Sequence, residues 1–163
     1  MPKLSAGLLL YYPDPGDGGI RILLVHPGGP FWARKDDGSW SIPKGEYAQG
    51  DDPHEAALRE FTEELGSAPP APTASAPDFD LGQARLASGK TLHIWARRGT
   101  FDAQSATSNT FELEWPKGSG RLREFPEVDR AEWFSLEQAK LKLNRGQVTY
   151  VDRLLDALNS ANG

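Results

Sequence analysis

Three glutamates, Glu60, Glu63 and Glu64, stand at spacings that place them together on one face of a helix, with Arg59 at the edge of that face. At about 100° per residue, Leu58, Phe61 and Leu65 fall on roughly the opposite face, so the helix has an apolar side for a core and an acidic side for something else. Like charges at i, i+3 and i+4 cost a helix about 0.2–0.5 kcal/mol per pair. No Lys or Arg occurs from 60 through 66 to relieve them. A divalent cation reverses the sign of that cost. Mg²⁺ and Mn²⁺ take oxygen ligands, and Mg²⁺ is commonly shared between a few carboxylates, waters and substrate phosphates. Such an ion neutralises a polyphosphate, orients the phosphorus and acidifies a bound water, which makes hydrolysis of a phosphoanhydride the simplest chemistry for this face. The Arg59 guanidinium is placed to steady a neighbouring carboxylate.

The rest of the composition narrows the field. The chain has no cysteine, which removes disulfides and thiolate metal sites, and His26, His54 and His93 make no zinc-like spacing. The formal net charge of −5 repels nucleic acid and anionic membrane at long range, so non-specific nucleic-acid binding is not expected and a polyanionic substrate must be received locally. Nearby cations are Arg34, Lys35 and Lys44, and Trp32, Trp40 and Tyr47 are aromatic groups with which a base or ribose can stack. No run approaches the ~18 apolar residues of a membrane span. The expectation is a cytoplasmic protein, folded as one domain over residues 1–163, with a homodimer as the default assembly.

These groups need a scaffold. Asp52 caps the acidic helix, Pro53 suits its first turn, Glu55 takes the capping-box position and Gly66 ends it. Ser5–Tyr12 and Ile20–His26 are apolar runs joined by PDPGDGG and predict two antiparallel strands. The following HPGGPFWARKDDGSW is too rich in Gly, Pro and charge for regular structure and predicts a ligand-contacting loop, ahead of a short extended run at Trp40–Ile42. The four-proline stretch Ser67–Asp78 predicts a surface connection. Phe79–Ala87 and Thr91–Arg98 predict strands about a turn at SGK, and Thr110–Trp115 another. SGKT is not the end of a P-loop, since Ala84 stands where that motif requires glycine. Leu136–Leu143 and the periodic Val148, Val151, Leu154, Leu155 and Leu158 predict two C-terminal helices, giving helices packed on a mixed sheet.

The stretch from Gly45 to Ser67 resembles the signature box of the Nudix hydrolases, G-x5-E-x7-R-E-U-x-E-E-x-G-U, where U is apolar. Gly45, Arg59, Glu60, Glu63, Glu64 and Gly66 match in register, and Phe61 fits the first U. Two positions depart: Asp51 replaces a glutamate and Ser67 an apolar residue. SAGLLLYY, ILLVHP and WSIPKGE are similar to the strands and loop that lead into the box. The resemblance implies a Nudix α/β/α sandwich with a mixed central sheet and a Mg²⁺- or Mn²⁺-dependent pyrophosphohydrolase. The site it implies has Glu60, Glu63, Glu64 and the Gly45 carbonyl on the metal, completed by a later acid. The best match for that acid is Glu127, ahead of Glu124, Asp129, Glu112 and Glu114. It further implies a box glutamate or the later acid as general base, with Glu60 preferred and Glu127 as substitute, and Lys44, Arg34, Lys35 and Trp32 as substrate contacts. The WSIPKGE segment and Gly-Asp-Asp turn look most like the members acting on dinucleoside polyphosphates, a nucleoside triphosphate being the other leading substrate. The competing reading is a ligand-sensing or protein-binding module that keeps the fold without turnover.

Overall fold

The computed structural model describes residues 3–162. In chain order the strands and helices are β1 (Leu4–Pro13), β2 (Ile20–Pro27), β3 (Lys44–Tyr47), α1 (Pro53–Leu65), β4 (Phe79–Arg85), β5 (Thr91–Arg98), β6 (Thr110–Glu114), β7 (Leu122–Pro126), β8 (Val128–Ser135), α2 (Leu136–Lys142) and α3 (Thr149–Asn162).

β1 organises the fold. One edge runs parallel to β5 from Leu4 to Tyr11. Its other edge is divided: Leu4–Gly7 pair antiparallel with β3, and Tyr11–Pro13 pair antiparallel with β2. The main sheet follows the order β4-β5-β1-β2-β8, with β3 on β1. Strand alternation sends Ala6, Leu8 and Leu10 to one face, where they pack with Ala56, Ala57, Phe61 and Leu65 of α1. Leu9 and Tyr11 face the other way and join Tyr150, Val151 and Leu154 of α3 and Ala139 of α2. The result is a mixed sheet between helices, the α/β/α sandwich that the sequence predicts. Each fully buried Leu or Phe in these layers contributes about 1.5–3 kcal/mol.

Three expectations change in detail. Leu58 is only half-buried, and Ala56 and Ala57 supply the inner face of α1 beside Phe61 and Leu65. Trp40–Ile42 forms isolated bridges rather than a strand, and the strand lies just beyond it, at Lys44–Tyr47. Thr110–Glu114 is a strand, but it pairs with β7 in a separate two-stranded hairpin. The strands β7 and β8 have no counterpart in the sequence reading, because charged residues interrupt their apolar alternation. The SGK turn joins β4 and β5 as expected, closed by the Leu86 N–H donating to the Lys90 carbonyl at 2.8 Å.

The proline-rich connection is tied down by charge. Arg97 on β5 donates to both Asp78 oxygens at 2.9 and 2.8 Å and to the Pro70 carbonyl at 3.1 Å, and His54 Nε2 meets Asp78 at 2.7 Å. The Arg97 and Asp78 side chains are 6% and 8% exposed. Removing one partner strands a buried charge, which costs about 3–5 kcal/mol. Asp78→Ala is therefore expected to lower unfolding stability by that amount in a urea titration; a loss within error of zero would contradict a buried, interdependent pair.

Candidate functional site

The acidic helix begins and ends where its sequence indicates, with only the Asp52 half of the expected capping box formed. The Asp52 side chain accepts from the Glu55 N–H, proline occupies the first turn, and Gly66 ends α1 at φ 80°, where a side chain is disfavoured. Phe61 and Leu65 are fully buried, which fixes the rotation of the helix and turns Glu60, Glu63 and Glu64 toward β3 and the segment before β8. Strand β3 brings Gly45 against the Glu60 carboxylate. A Cβ at Gly45 would overlap that carboxylate, so the box glycine is required for close approach of backbone and acid.

The electrostatics are those of crowded, partly dehydrated acids. Burial, then the Glu63 charge and a hydrogen bond to Glu63, push the Glu60 carboxyl up to about 7, against the pull of Arg59. Its side chain is 14% exposed. Burial pushes Glu64 up to about 8, although its Oε1 accepts the Lys44 N–H at 3.2 Å. Glu127 is also raised, by burial and then by Glu63. Arg59 Nη2 stands 3.7 Å from Glu60 Oε1. At that distance it is an electrostatic neighbour that limits the Glu60 shift. Burial lowers the Lys44 ammonium, which Glu64, Glu46 and Glu60 oppose.

Among the described residues, no three acidic or histidine side chains stand close enough to coordinate one ion in these positions. Glu64 is turned to the Lys44 amide, its Oε1 accepting that N–H. The donor set nevertheless fits a hard divalent ion. It is all oxygen, three of its members share one helix face, and Glu60 feels both Glu63 and Glu127 as repelling charges.

Glu127 belongs to the same neighbourhood through its backbone. Its N–H donates to the Asn109 carbonyl at 2.8 Å, its carbonyl accepts the Gly28 N–H at 2.9 Å, and the Asn109 N–H donates to the Glu63 carbonyl at 3.0 Å. The weaker candidates separate from it. Asp129 meets His26 Nδ1 at 2.8 Å, Glu124 accepts from the Thr110 hydroxyl at 2.7 Å, Glu114 accepts the Gly118 N–H at 2.6 Å, and Glu112 is exposed on β6.

The loop between β2 and β3 carries the other candidates. Trp32 is half-buried and meets Phe31 edge-on at 4.9 Å, while Lys35 Nζ lies 3.6 Å from the Phe31 ring centre and 5.1 Å from that of Trp32. Arg34 is exposed and Tyr47 half-buried. Trp40 does not serve as a stacking surface for a ligand: it is 1% exposed and its indole N–H donates to Asp36 at 2.7 Å.

Several positioning residues escape sequence reasoning. The fully buried His26 holds the loop, Nε2 donating to the Lys35 carbonyl at 2.6 Å. Asp36 and Asp37 reach Lys142 of α2 at 2.7 and 3.0 Å. Gln147 is fully buried and its Oε1 accepts the Ile42 N–H at 2.8 Å, replacing a strand partner for WSIP. A histidine inside an apolar run was the only signal for any of these. A cleft of 670 Å³ lined by Phe101, Asp102, Gln104, Asp129, Arg130 and Trp133 opens beside β8, but it includes none of Glu60, Glu63, Glu64 and Glu127.

Comparison with known proteins agrees with this architecture. The model of the NUDIX domain matches residues 1–154, and the chain belongs to the Nudix family. With the REFTEELG part of the box in register, it falls in the pyrophosphohydrolase class of that family. The NUDIX domain of Shewanella oneidensis NrtR, solved with ADP ribose, is similar over 97% of this chain and 89% of its own, at 16% identity and a TM-score of 0.61. A Caenorhabditis elegans Ap4A hydrolase binary complex is similar over 96% and 98%, at 20% identity and a TM-score of 0.60. A mutT/nudix family protein of Listeria innocua is similar over 98% and 96%, at 14% identity and a TM-score of 0.62. At these identities the likeness is one of fold. No curated protein matches the chain in sequence. Among the described residues no helix is long and apolar enough to cross a membrane.

The raised carboxyls make stability depend on pH. Glu60 and Glu64 bind protons more tightly folded than at their ordinary value of 4.5, so the folded state holds the excess protons between about 4.5 and 8. Stability from this source is present below 4.5 and is lost as pH rises through about 7 and 8. In EDTA, the melting temperature is expected to fall from pH 5 to 8, and Glu64→Gln to flatten that fall. An equal slope in the variant would contradict the assignment.

Proposed function

We propose that this protein, acting as one Nudix domain over residues 1–163, hydrolyses a phosphoanhydride bond in a nucleoside diphosphate linked to another moiety. The observation that carries the reading is the set of glutamates on α1, raised toward and above neutrality and pressed against the Gly45 strand. The favoured substrate is a dinucleoside polyphosphate, with a nucleoside triphosphate as the other leading choice; the basis is the WSIPKGE segment and Gly-Asp-Asp turn. The Ap4A hydrolase likeness in fold is compatible with it.

Glu60, Glu63, Glu64, the Gly45 carbonyl and Glu127 would hold Mg²⁺ or Mn²⁺. Such an ion, when bound, neutralises polyphosphate charge and acidifies water. Glu60, ionised once such an ion is bound, is the preferred acceptor of the proton of the attacking water, with Glu127 as the substitute base. Arg59, 3.7 Å from Glu60, favours its ionised form. Lys44, Lys35 and Arg34 receive phosphates, and Trp32, braced on Phe31, receives a base. The segment carrying Lys35 keeps its place because His26 binds its backbone.

The test is a Mg²⁺-dependent phosphate-release assay across nucleoside triphosphates, dinucleoside polyphosphates and nucleotide sugars. We expect turnover of at least one class, and a loss of about 10²–10⁴-fold in kcat with Glu63→Gln, which keeps the shape but removes the charge. Unchanged hydrolysis by Glu63→Gln would overturn the mechanism. No turnover of any member by the wild type would favour a sensing module.

A further inference from the structure

The two edges of the main sheet, β4 and β8, are finished differently. At the β4 edge the register is interrupted between Asp80 and Gln83, and α3 closes what remains: Arg153 Nη1 donates to the Leu81 and Gln83 carbonyls at 2.9 Å each, and the Tyr150 hydroxyl donates to the Gly82 carbonyl at 3.0 Å. A bulge and a covering element are the usual means of keeping an edge from pairing with another chain. At the β8 edge the register with β2 is regular from Arg130 to Ser135.

The direction of the β8 main chain follows from β2. The Val25 N–H and carbonyl are both bonded to Ser41, at 2.9 Å each, so they point away from β8. In an antiparallel pair the residue opposite then points away as well. Val25 stands opposite Ala131 and Leu23 opposite Trp133, so Ala131 and Trp133 turn their N–H and carbonyl groups to the outer edge. Among the described residues, no hydrogen bond from another element reaches those four groups. The edge also borders open space. The 670 Å³ cleft is lined by every residue from Asp129 to Trp133, whose side chains alternate between faces, and one cleft meets them all only along the edge they share. The Ala131 methyl packs in the α1 layer, so what this residue offers to the edge is its backbone.

The side chains beside Ala131 supply the partner. Arg130 and Glu132 project together on the other face of the strand. The Arg130 side chain is 50% exposed; its guanidinium lies 5.1 Å from the Trp40 ring centre and its Nε 3.8 Å from Asp129. Glu132 is exposed and has no ion-pair partner among the described residues. In reverse order Arg-Ala-Glu is its own charge complement. Two antiparallel copies centred on Ala131 set Arg130 of each opposite Glu132 of the other. A centre one residue away in either direction sets Arg130 opposite Arg130 or Glu132 opposite Glu132, which is destabilising.

We infer that β8 pairs antiparallel with β8 of a second copy of this chain, about a two-fold axis at Ala131. The two Ala131 residues exchange their outward N–H and carbonyl groups, two Arg130–Glu132 pairs flank them, and the two sheets become one. Such a contact is isologous and closed, using the edge of both copies. It does not depend on the hydrolysis proposed above. A seam of one strand pair lies at the small end of specific interfaces, so the dimer is expected to dissociate on dilution.

The experiment is sedimentation equilibrium of the full-length protein over roughly a hundredfold range of concentration, with wild type, Arg130→Glu, Glu132→Arg and the double reversal. Each single reversal sets like charges opposite each other twice per dimer and is expected to raise the dimer Kd about tenfold; the double reversal restores opposite charges and returns Kd to within about threefold of wild type. Both side chains are exposed, and an unchanged melting temperature of the dilute variants checks that the fold is kept. Hydrogen exchange of the wild type gives a reading that needs no variant: the Ala131 amide is expected to be protected at high concentration and to lose that protection on dilution. A wild type that stays monomeric throughout would overturn the inference and leave the charges of β8 as a guard against edge pairing. A dimer that neither single reversal weakens, or that the double reversal fails to restore, would overturn it as well.

Discussion

Everything at the candidate site depends on keeping carboxyl groups where water is scarce and other carboxyl groups are near. Raising Glu60 from 4.5 to about 7 and Glu64 to about 8 is a cost on the order of several kcal/mol charged to the ionised forms. The fold bears it through one helix whose other face is buried. Phe61 and Leu65 are fixed among Leu8, Leu10 and Leu23, so α1 cannot roll to give its acids to solvent. Gly45 then allows the β3 backbone to close on Glu60, and β3 is held in turn by four residues of β1. The strand that centres the sheet therefore also closes the site.

A second network connects that site to the opposite layer. The extended WSIP segment bridges to Leu143 at Trp40 and to Val25 at Ser41, and Gln147, placed just before α3, meets the Ile42 N–H. Asp36 joins the Trp40 indole and Lys142, and His26 joins the Lys35 carbonyl to Asp129 at the start of β8. The loop carrying Trp32 and Lys35 is thus pinned at both ends by buried or partly buried polar groups. Exposed side chains on an anchored backbone can meet a ligand without a large loss of chain entropy.

The legible parts of the sequence were those in which local signals agree. Asp52, Pro53, Glu55 and Gly66 delimit α1, and the apolar runs at β1 and β2 leave little choice but paired strands. The acidic face followed from spacing alone, and the box register supplied Gly45. What stayed hidden is non-local. β3 is a strand because β1 has a free half-edge, which four residues of KGEY do not announce. β8 contains Asp129, Arg130 and Glu132, and its inward residues become apparent only once β2 lies beside it. Trp40, placed next to a polar loop, could stack a ligand or pack the core by sequence, and it fills the core between His26 and Phe134. Glu127, ranked ahead of Asp129 by the resemblance, differs from it in place: its backbone meets Asn109 and Gly28, while Asp129 meets His26.

The central claim is that Glu60 and Glu64 are proton-rich at neutrality and that a divalent ion takes the place of those protons. Calorimetric titration of Mg²⁺ into the protein at pH 7, repeated in buffers of different ionisation enthalpy, counts the protons released. Ion binding to groups at about 7 and 8 predicts release of roughly one to two protons per site. Mg²⁺ binding with the same heat in every buffer, and hence no release, would contradict it.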